Sequence, residues 1–331
     1  MRSCRTILLC NTTGHGIIGK HNLSKHNLTF RETSVLLNSR LKLDGSMNLM
    51  RQVVKNKPTV GGFYMNPLVG LYRFPRGEDI AYYKENFEVY DEGRNLNIQN
   101  WHTSYEDFEQ NPYWITNRIL SKENRMHVIV SLSANLKIND WLSLQARGNV
   151  DYINDKVRQQ FYASTAPALA GANGRYIEMD YQETQYYGDA ILMMKKQWDA
   201  FSLNAALGAS INDKTVNSTR YDSKTASLKY ANVFNLANII MNGSAGLDQK
   251  IDARRQLQSL FATAQLGYNE FVYLDLSARN DWSSTLAYTS HEKSGFFYPS
   301  VGFSLIFNKL MTLPRWVSLA KIRGGIQHGG Q

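Results

Sequence analysis

The sequence has 331 residues, of which 43% are hydrophobic, 12% aromatic and 20% charged. This composition excludes a disordered tail, a collagen-like repeat and a low-complexity linker. The net charge is +9, but the basic residues are scattered singly or in pairs, so we expect no nucleic-acid partner. Both cysteines, Cys4 and Cys10, lie in the first ten residues, which excludes a disulfide framework or a cysteine-based metal site elsewhere.

The N-terminal segment does not read as a targeting sequence. Its apolar run, Ile7 to Cys10, is shorter than the roughly 7 to 15 residues of a signal-peptide core. We therefore expect no signal peptide and leave residues 1–20 unassigned. No stretch approaches the roughly 18 apolar residues of a membrane-spanning helix, which leaves open a membrane barrel made of strands.

Alternation of apolar and polar residues with a period of two is the clearest signal along the chain. Between Leu142 and Tyr152, for example, apolar residues fall on one face and Ser143, Arg147 and Asp151 on the other. The pattern predicts about ten strands in five hairpins. In chain order, the predicted hairpins pair 28–37 with 41–49, 128–136 with 142–152, a strand ending at 198 with 201–211, 260–268 with 272–278, and 301–307 with 316–326.

The connections between these strands favour a barrel. Turns within hairpins are short, whereas long linkers join one hairpin to the next, as in outer-membrane barrels with short periplasmic turns and long extracellular loops. The linkers are 52–122, 153–182, 213–254 and 283–296. Charged residues on the predicted inner face are Arg147, Asp151, Asp275, Arg279 and Asp281. Aromatic residues at the short-turn ends, which suit an interfacial girdle, are Trp141, Trp198, Phe271 and Trp316. Alternation alone also fits a soluble or surface β-sandwich that binds sugars, and this is the alternative.

No catalytic constellation is present. Gly14-His15-Gly16-Ile17-Ile18-Gly19 matches the pattern G-x-G-x-x-G, but the following residues lack the apolar stripe of the helix that a dinucleotide site needs. His21 and His26 are off the spacing that aligns zinc ligands on a helix. For the acidic residues of the long linker, Glu106, Asp107 and Glu109, the default interpretation is a solvated face or contacts that stabilise the loop. We therefore predict a protein that is not an enzyme and needs no metal or other cofactor.

The linker 52–122 is too long for a plain connection and is rich in aromatic residues. Long loops that are able to order are usually functional, and aromatic faces beside amides suit sugar rings or peptides. We name Trp101, Tyr113 and Trp114, together with Tyr162 of the next linker, as candidate ligand contacts. The alternative for each residue is that its ring packs the loop against the barrel wall. The linker's aromatic residues are Phe63, Tyr64, Tyr72, Phe74, Tyr82, Tyr83, Phe87, Tyr90, Trp101, Tyr105, Phe108, Tyr113 and Trp114.

Several strings, in a consistent order, resemble the SusC/RagA-type TonB-linked outer-membrane receptors of Bacteroidetes. The most specific is Ala278-Arg-Asn-Asp-Trp-Ser-Ser-Thr-Leu286, followed by Phe296-Phe-Tyr-Pro-Ser300. The others are Asn66 to Gly77, Tyr82 to Lys84, Asn100 to Trp101, Gln110 to Arg118 and Asp140 to Ser143.

This resemblance implies an importer of glycans or peptides in the outer membrane. Such a receptor has a barrel of roughly 22 strands enclosing a plug, pairs with a SusD-type surface lipoprotein and receives energy from the TonB complex. Residues 21–331 would then be part of an antiparallel up-and-down barrel, without the plug, the signal peptide, the TonB-contacting segment and the C-terminal strands. We expect an internal fragment that is inactive as an isolated chain, whose substrate is not determined by the sequence.

Overall fold

The computed structural model describes residues 2–57, 59, 64–103, 109–224, 228–241, 246–290, 292, 295–311, 314 and 316–328. Strands dominate it. The strands are β1 (Arg2–His15), β2 (Asn22–Leu36), β3 (Leu41–Lys55), β4 (Glu88–Asp91), β5 (Leu96–Gln99), β6 (Ile119–Lys137), β7 (Leu142–Phe161), β8 (Arg175–Trp198), β9 (Phe201–Asp222), β10 (Gly246–Tyr268), β11 (Val272–Ser283), β12 (Phe296–Ile306) and β13 (Lys321–Gln327). Three short helices, α1 (Pro67–Arg73), α2 (Ile80–Glu85) and α3 (Pro112–Arg118), interrupt them.

Eleven strands form one antiparallel sheet in the order β1-β2-β3-β6-β7-β8-β9-β10-β11-β12-β13. The strands follow one another in chain order, and only β4 and β5 lie outside this sheet. The five predicted hairpins are confirmed as β2–β3, β6–β7, β8–β9, β10–β11 and β12–β13. The β4–β5 pair is a separate two-stranded sheet inside the connection between β3 and β6. A sandwich needs a second sheet that faces the first, and the described residues hold none larger than this pair.

Strand β1 lies in the segment for which no element was predicted. Its residues Ile7, Leu8 and Leu9 are consecutive and apolar, so β1 shows no alternation, and its conformation depends on antiparallel pairing with β2. The glycine motif lies at the turn between these two strands and is followed by a strand, not by a helix. A Cβ atom on Gly16 would lie 2.2 Å from Nδ1 of His21, so the motif serves a tight turn.

The last hairpin differs from its prediction at one strand. Strand β13 begins at Lys321, not at Trp316, and the connection from Phe307 to Ala320 opens with a 3-10 turn at Phe307–Lys309. Trp316 is exposed within this connection, at the same end of the sheet as the short turns. We call this end the turn end. The opposite end, with connections 56–118, 162–174, 223–245 and 284–295, is called the loop end.

The two faces of the sheet differ in chemistry. Residues paired across strands share a face, so the register groups Leu132 of β6 with Gly148 of β7 and Gly188 of β8. The resulting apolar face is exposed, with Leu132 60% and Leu260 50% accessible. Other exposed members of this face are Met47, Leu49, Val130, Val150, Tyr186, Leu207, Ile211, Leu276, Val301 and Phe303.

The opposite, polar face carries all five charged residues predicted for the inner side. Arg147 is paired in register with Asp189, and Asp151 lies four residues further along β7 on the same face. The polar face lines a hollow of about 880 Å³ between β8 and β13, bordered by Asn204, Gln265, Asp275 and Ser277 among others. No helix within the described residues is long and apolar enough to span a membrane.

Hydrophobic packing is concentrated at the loop end. On the polar face, Phe161, Ala170 and Ile177 form a buried cluster against which Met65 and Ile119 pack. On the apolar face, residues 228–239 cover the sheet instead, where Leu228 and Ile239 bury Tyr176. The connections 56–118 and 162–174 therefore fold over the inside of the sheet, and residues 228–239 fold over its outside.

Candidate functional site

Two of the three helices in the connection 56–118 begin with the same local arrangement. Asn66 caps α1 and Asn111 caps α3, each accepting a hydrogen bond from the backbone N–H two residues on, with proline at the first helical position. The two helices pack closely at Gly70, where a Cβ atom would lie 2.5 Å from the carbonyl oxygen of Gln110. Glycine at position 70 is therefore required for this contact.

Buried amide side chains join the connections 56–118 and 162–174. The backbone N–H of Ala166 donates to Oε1 of Gln110 at 2.8 Å, and that of Gln99 donates to Oγ of Ser164 at 3.0 Å. Asn111 donates to the carbonyl oxygens of Tyr83 and Asn100 at 2.9 and 2.8 Å. Because an unpaired buried amide is costly, these bonds fix one arrangement of the loops.

Two of the four predicted ligand contacts lie in the interior of this assembly. Trp114 is fully buried, and its Nε1 donates to Oγ1 of Thr165 at 3.1 Å. Trp101 is 9% accessible and packs in an aromatic cluster, with ring centroids 5.2 Å from Phe74 and 5.3 Å from Tyr83. Their burial favours the packing alternative for both tryptophans.

The other two predicted contacts are half-buried. Tyr162 lies between the guanidinium of Arg118, 5.0 Å from its ring centroid, and the ring of Phe234 at 4.9 Å. The carbonyl oxygen of Tyr113 accepts from Thr116 at 3.2 Å. Ligand contact at Tyr113 and Tyr162 stays a prediction. Of the other linker residues considered, Phe63, Tyr105, Glu106, Asp107 and Phe108 lie outside the described residues.

Two ion pairs stabilise the loop assembly. Arg118 donates twice to Glu88, at 2.7 Å for each bond, and this hydrogen bonding raises the pKa of Arg118 above its usual value. Glu109 is buried, with its carboxylate 3.2 Å from Nε of Arg73 and 3.0 Å from Nε2 of His102. The sequence left two interpretations for Glu109, a solvated face or loop-stabilising contacts, and its burial beside Arg73 and His102 fits the second.

A cavity of about 360 Å³ lies beneath the loops, between α3 and the loop end of β6. Its lining mixes apolar side chains such as Met65 and Phe161 with polar ones such as Glu123 and Gln159. None of Trp101, Tyr113, Trp114 and Tyr162 is among its lining residues. Within the described residues, no three His, Cys, Asp or Glu side chains are grouped to hold a metal ion.

Exposed aromatic and aliphatic side chains form a separate surface on the loop assembly. Leu68, Leu71 and Tyr72 lie on one face of α1, and Tyr72 is 84% accessible. The sequence pointed to Tyr72 only as one of the aromatic residues of the linker, and not to Leu68 or Leu71. Their spacing of three and four residues, directly after the Asn66-Pro67 helix start, is the signal that finds them.

Polar side chains also line up across the polar face in the middle of the sheet. The register places Asp44, Ser133, Arg147, Asp189, Ser210, Ser259 and Asp281 side by side on successive strands from β3 to β11. Each of the three aspartates is bonded to an arginine, in the pairs Arg31–Asp44, Arg147–Asp189 and Arg279–Asp281. This row is hydrophilic although the apolar face behind it is exposed, as in the wall of a membrane barrel that encloses water.

Comparison with solved structures identifies the architecture. Two structures of the RagAB peptide transporter match with TM-scores of 0.67 and 0.66, over 98% of this chain, at 16% and 17% sequence identity. The sheet thus has the fold of part of the barrel of these transporters. BauA, the ferric preacinetobactin receptor from Acinetobacter baumannii, also matches, with a TM-score of 0.52 and 9% identity over 92% of this chain and 40% of its own. No protein-family model and no curated protein matches the sequence.

The resemblance to SusC/RagA-type receptors that the sequence predicts is thus confirmed at the level of the fold. The chain spans about a third of the RagAB chains, 35% and 34% of their lengths. In such a receptor barrel the polar face lines the lumen and the apolar face is directed outwards, which is the assignment that the alternation predicts.

Proposed function

We propose that this chain forms part of the wall of an outer-membrane importer that takes up peptides or glycans. The observation that carries the proposal is the two-faced sheet. Its apolar face is exposed across many strands, whereas a water-soluble protein rarely exposes a patch larger than a few hundred Å². Lipid is the medium that suits this face, and a water-filled lumen suits the row around Arg147.

The direction of import follows from the two ends of the sheet. In outer-membrane barrels the long loops are extracellular and the short turns periplasmic. Here, the connections 56–118 and 162–174 form an ordered assembly over the inside of the sheet at the loop end. We infer that these loops meet the substrate before it enters the lumen, and that Tyr113 and Tyr162 contact it there.

A SusD-type surface lipoprotein is the proposed partner at this end. The RagAB structures with the same fold are of a receptor–lipoprotein complex. The exposed face of α1, formed by Leu68, Leu71 and Tyr72, is the surface that suits such a partner, because exposed aromatic and aliphatic groups are typical anchors of interfaces. Energy from the TonB complex is part of the same proposal.

Uptake tests the proposed function. Cells that make the protein containing this sequence are given labelled peptides or labelled oligosaccharides, with and without an active TonB complex. We expect uptake of one class that stops when TonB is inactivated. The proposal is wrong if the protein fractionates with water-soluble proteins and uptake is the same without it.

The lipoprotein partner has its own test. Replacing Leu71 and Tyr72 by glutamate is expected to abolish co-purification of the co-expressed lipoprotein. Glutamate at Met311, an exposed apolar residue at the turn end, is the matched control and is expected to leave co-purification unchanged. If both variants retain the lipoprotein equally, α1 is not the docking surface.

A further inference from the structure

The polar face contains a small depression between two of its arginine–aspartate pairs. The cavity measures about 310 Å³, near the lower end of the range for ligand pockets. The polar side chains that line it are Asp44, Ser46, Ser131, Ser133, Arg147, Asn149 and Tyr187.

Both carboxylates beside this depression already accept hydrogen bonds from three donor atoms. Asp44 accepts from Nε and Nη2 of Arg31 at 3.0 and 2.8 Å, and from Oγ1 of Thr33 at 3.0 Å. Asp189 accepts from Nε and Nη2 of Arg147 at 3.0 and 2.7 Å, and from the hydroxyl of Tyr187 at 2.6 Å. In each carboxylate both oxygens are therefore engaged by the paired arginine.

The depression keeps unused donor capacity. In the hydrogen bonds formed within the described part of the chain, Nη1 of Arg147 takes no part, nor do the hydroxyls of Ser46 and Ser133, which can each donate or accept. Nη1 of Arg31, beside the depression, is likewise unused in the pair with Asp44. The arginines are also the exposed partners of their pairs. The side chain of Arg147 is 46% accessible and that of Asp189 only 1%, and the corresponding values for Arg31 and Asp44 are 60% and 18%.

A pocket that has unused hydrogen-bond donors, and whose own carboxylates are shielded by arginines, favours a negatively charged hydrogen-bond acceptor. Guanidinium groups held by a partner on one edge present the other edge to a carboxylate in a fixed geometry. We propose that this depression binds the carboxylate group of the imported substrate, an acidic residue of a peptide or an acid unit of a glycan. The inference rests on the proposed function and narrows its substrate class to acidic molecules.

The experiment compares acidic and neutral probes on the full-length protein purified in detergent. Isothermal titration uses tetraglutamate, tetraglutamine and trigalacturonate. We expect tetraglutamate or trigalacturonate to bind at least tenfold more tightly than tetraglutamine, with an affinity that falls as the salt concentration rises. Tight binding of tetraglutamate indicates a peptide substrate, and tight binding of trigalacturonate indicates a glycan substrate. Equal affinity for tetraglutamate and tetraglutamine, with no binding of trigalacturonate, would overturn the proposal.

Variants assign this binding to the depression. Replacing Arg147 by glutamine together with Asp189→Asn removes both charges and leaves no buried carboxylate unpaired, and we expect about a tenfold loss of affinity. Arg125→Gln with Asp155→Asn is the matched control, because this pair lies on the same face with side chains 47% and 15% accessible but outside the depression. Equal losses in both double variants would overturn the proposal.

A second variant covers the case in which the first does not fold. Ser133→Leu fills the depression and leaves the Arg147–Asp189 pair intact. We expect this variant to lower the affinity for the acidic probe by a similar factor. Unchanged affinity in this variant contradicts the proposal. If the protein imports tetraglutamine as fast as tetraglutamate, the acidic-substrate inference fails while the importer function stands; if it imports nothing and is water-soluble, the proposed function fails.

Discussion

The two halves of β7 differ on both of their faces. Between Leu142 and Tyr152 the outward side chains are apolar and the inward ones polar. Towards the loop end the outward positions become Asn154, Lys156, Arg158 and Gln160, and the inward positions end at the buried Phe161. A single strand therefore passes from one medium to another. The first half suits lipid outside and water inside, and the second suits water outside and packed loops inside.

The same change occurs on neighbouring strands in register. On β6 the outward residues Val128, Val130 and Leu132 are apolar, whereas Asn124 and Lys122, nearer the loop end, are polar. A transmembrane strand needs only about 9 to 11 residues, whereas β7 has 20. The comparison teaches that the change of medium can be read from the outward face alone. Under the proposed function, the loop-end half belongs to the extracellular assembly.

The largest expected effect is on the loop-end half. Replacing Trp114 by alanine removes a fully buried indole and its bond to Thr165, which we expect to cost about 3–5 kcal/mol of the local stability of the loop assembly. Limited proteolysis within 64–118 measures it. Tyr72→Ala, at an exposed position of the same connection, is the control and is expected to change the cleavage rate little. Equal cleavage of the two variants would show that Trp114 does not anchor the loops.

The next effect distinguishes the two halves directly. An arginine at Leu132 places a charge in the middle of the apolar face and is expected to cost about 2–4 kcal/mol, against about 0–1 for an arginine at Asn124 on the same face of the same strand. Urea titration of the protein in phospholipid vesicles gives both free energies of unfolding. Similar losses of unfolding free energy at the two positions would contradict the prediction, because they would mean that the outward face of β6 meets the same solvent along its whole length.

The third prediction concerns the bond between α3 and the β4–β5 pair. Arg118→Gln removes the charge that pairs with Glu88, and we expect a loss of about 1–2 kcal/mol because the pair is mostly buried. A double-mutant cycle with Glu88→Gln isolates the interaction. If the two single variants and the double variant show additive losses, Arg118 and Glu88 do not act as a pair.

The smallest effect is a dependence on pH at Tyr83. Burial and a hydrogen bond to Glu78 raise the pKa of this phenol above its usual value of 10.0. The stabilisation is therefore fully present below pH 10 and is lost as the pH rises through the higher pKa of the folded state. Subtracting the ultraviolet titration of Tyr83→Phe from that of the unchanged protein isolates this tyrosine. A difference curve with its midpoint at or below 10 would contradict the assignment.

The sequence predicts the hairpins because lipid and water impose opposite demands on the two faces. Alternation is complete from Leu142 to Tyr152, and it weakens beyond Asn154, where the outward face is in water; the predicted strand therefore ends nine residues before Phe161. Strand β1 was missed because Ile7, Leu8 and Leu9 do not alternate. The helices of 56–118 are each seven residues or fewer, too short for an apolar pattern sustained over more than two turns, although Asn66-Pro67 and Asn111-Pro112 are helix-start signals in the sequence.

Less of the candidate site than of the fold could be predicted from the sequence. Aromatic composition draws attention to 56–118, but it does not distinguish Trp114, which is buried, from Tyr72, which is exposed. Arg147 was placed on the inner face by alternation. Its pairing with Asp189 depends on the register between β7 and β8, which brings together residues 42 positions apart, and no local pattern encodes that register.

Cysteine labelling on β7 tests the central claim that the polar face lines water and the apolar face meets lipid. Cys4 and Cys10 are replaced by serine, and single cysteines are introduced at Asn149 or Val150, which are adjacent in the chain but on opposite faces. The account predicts that a water-soluble maleimide labels the cysteine at 149 in outer membranes and leaves the one at 150 unlabelled until detergent is added. Equal labelling of both positions before detergent would contradict it.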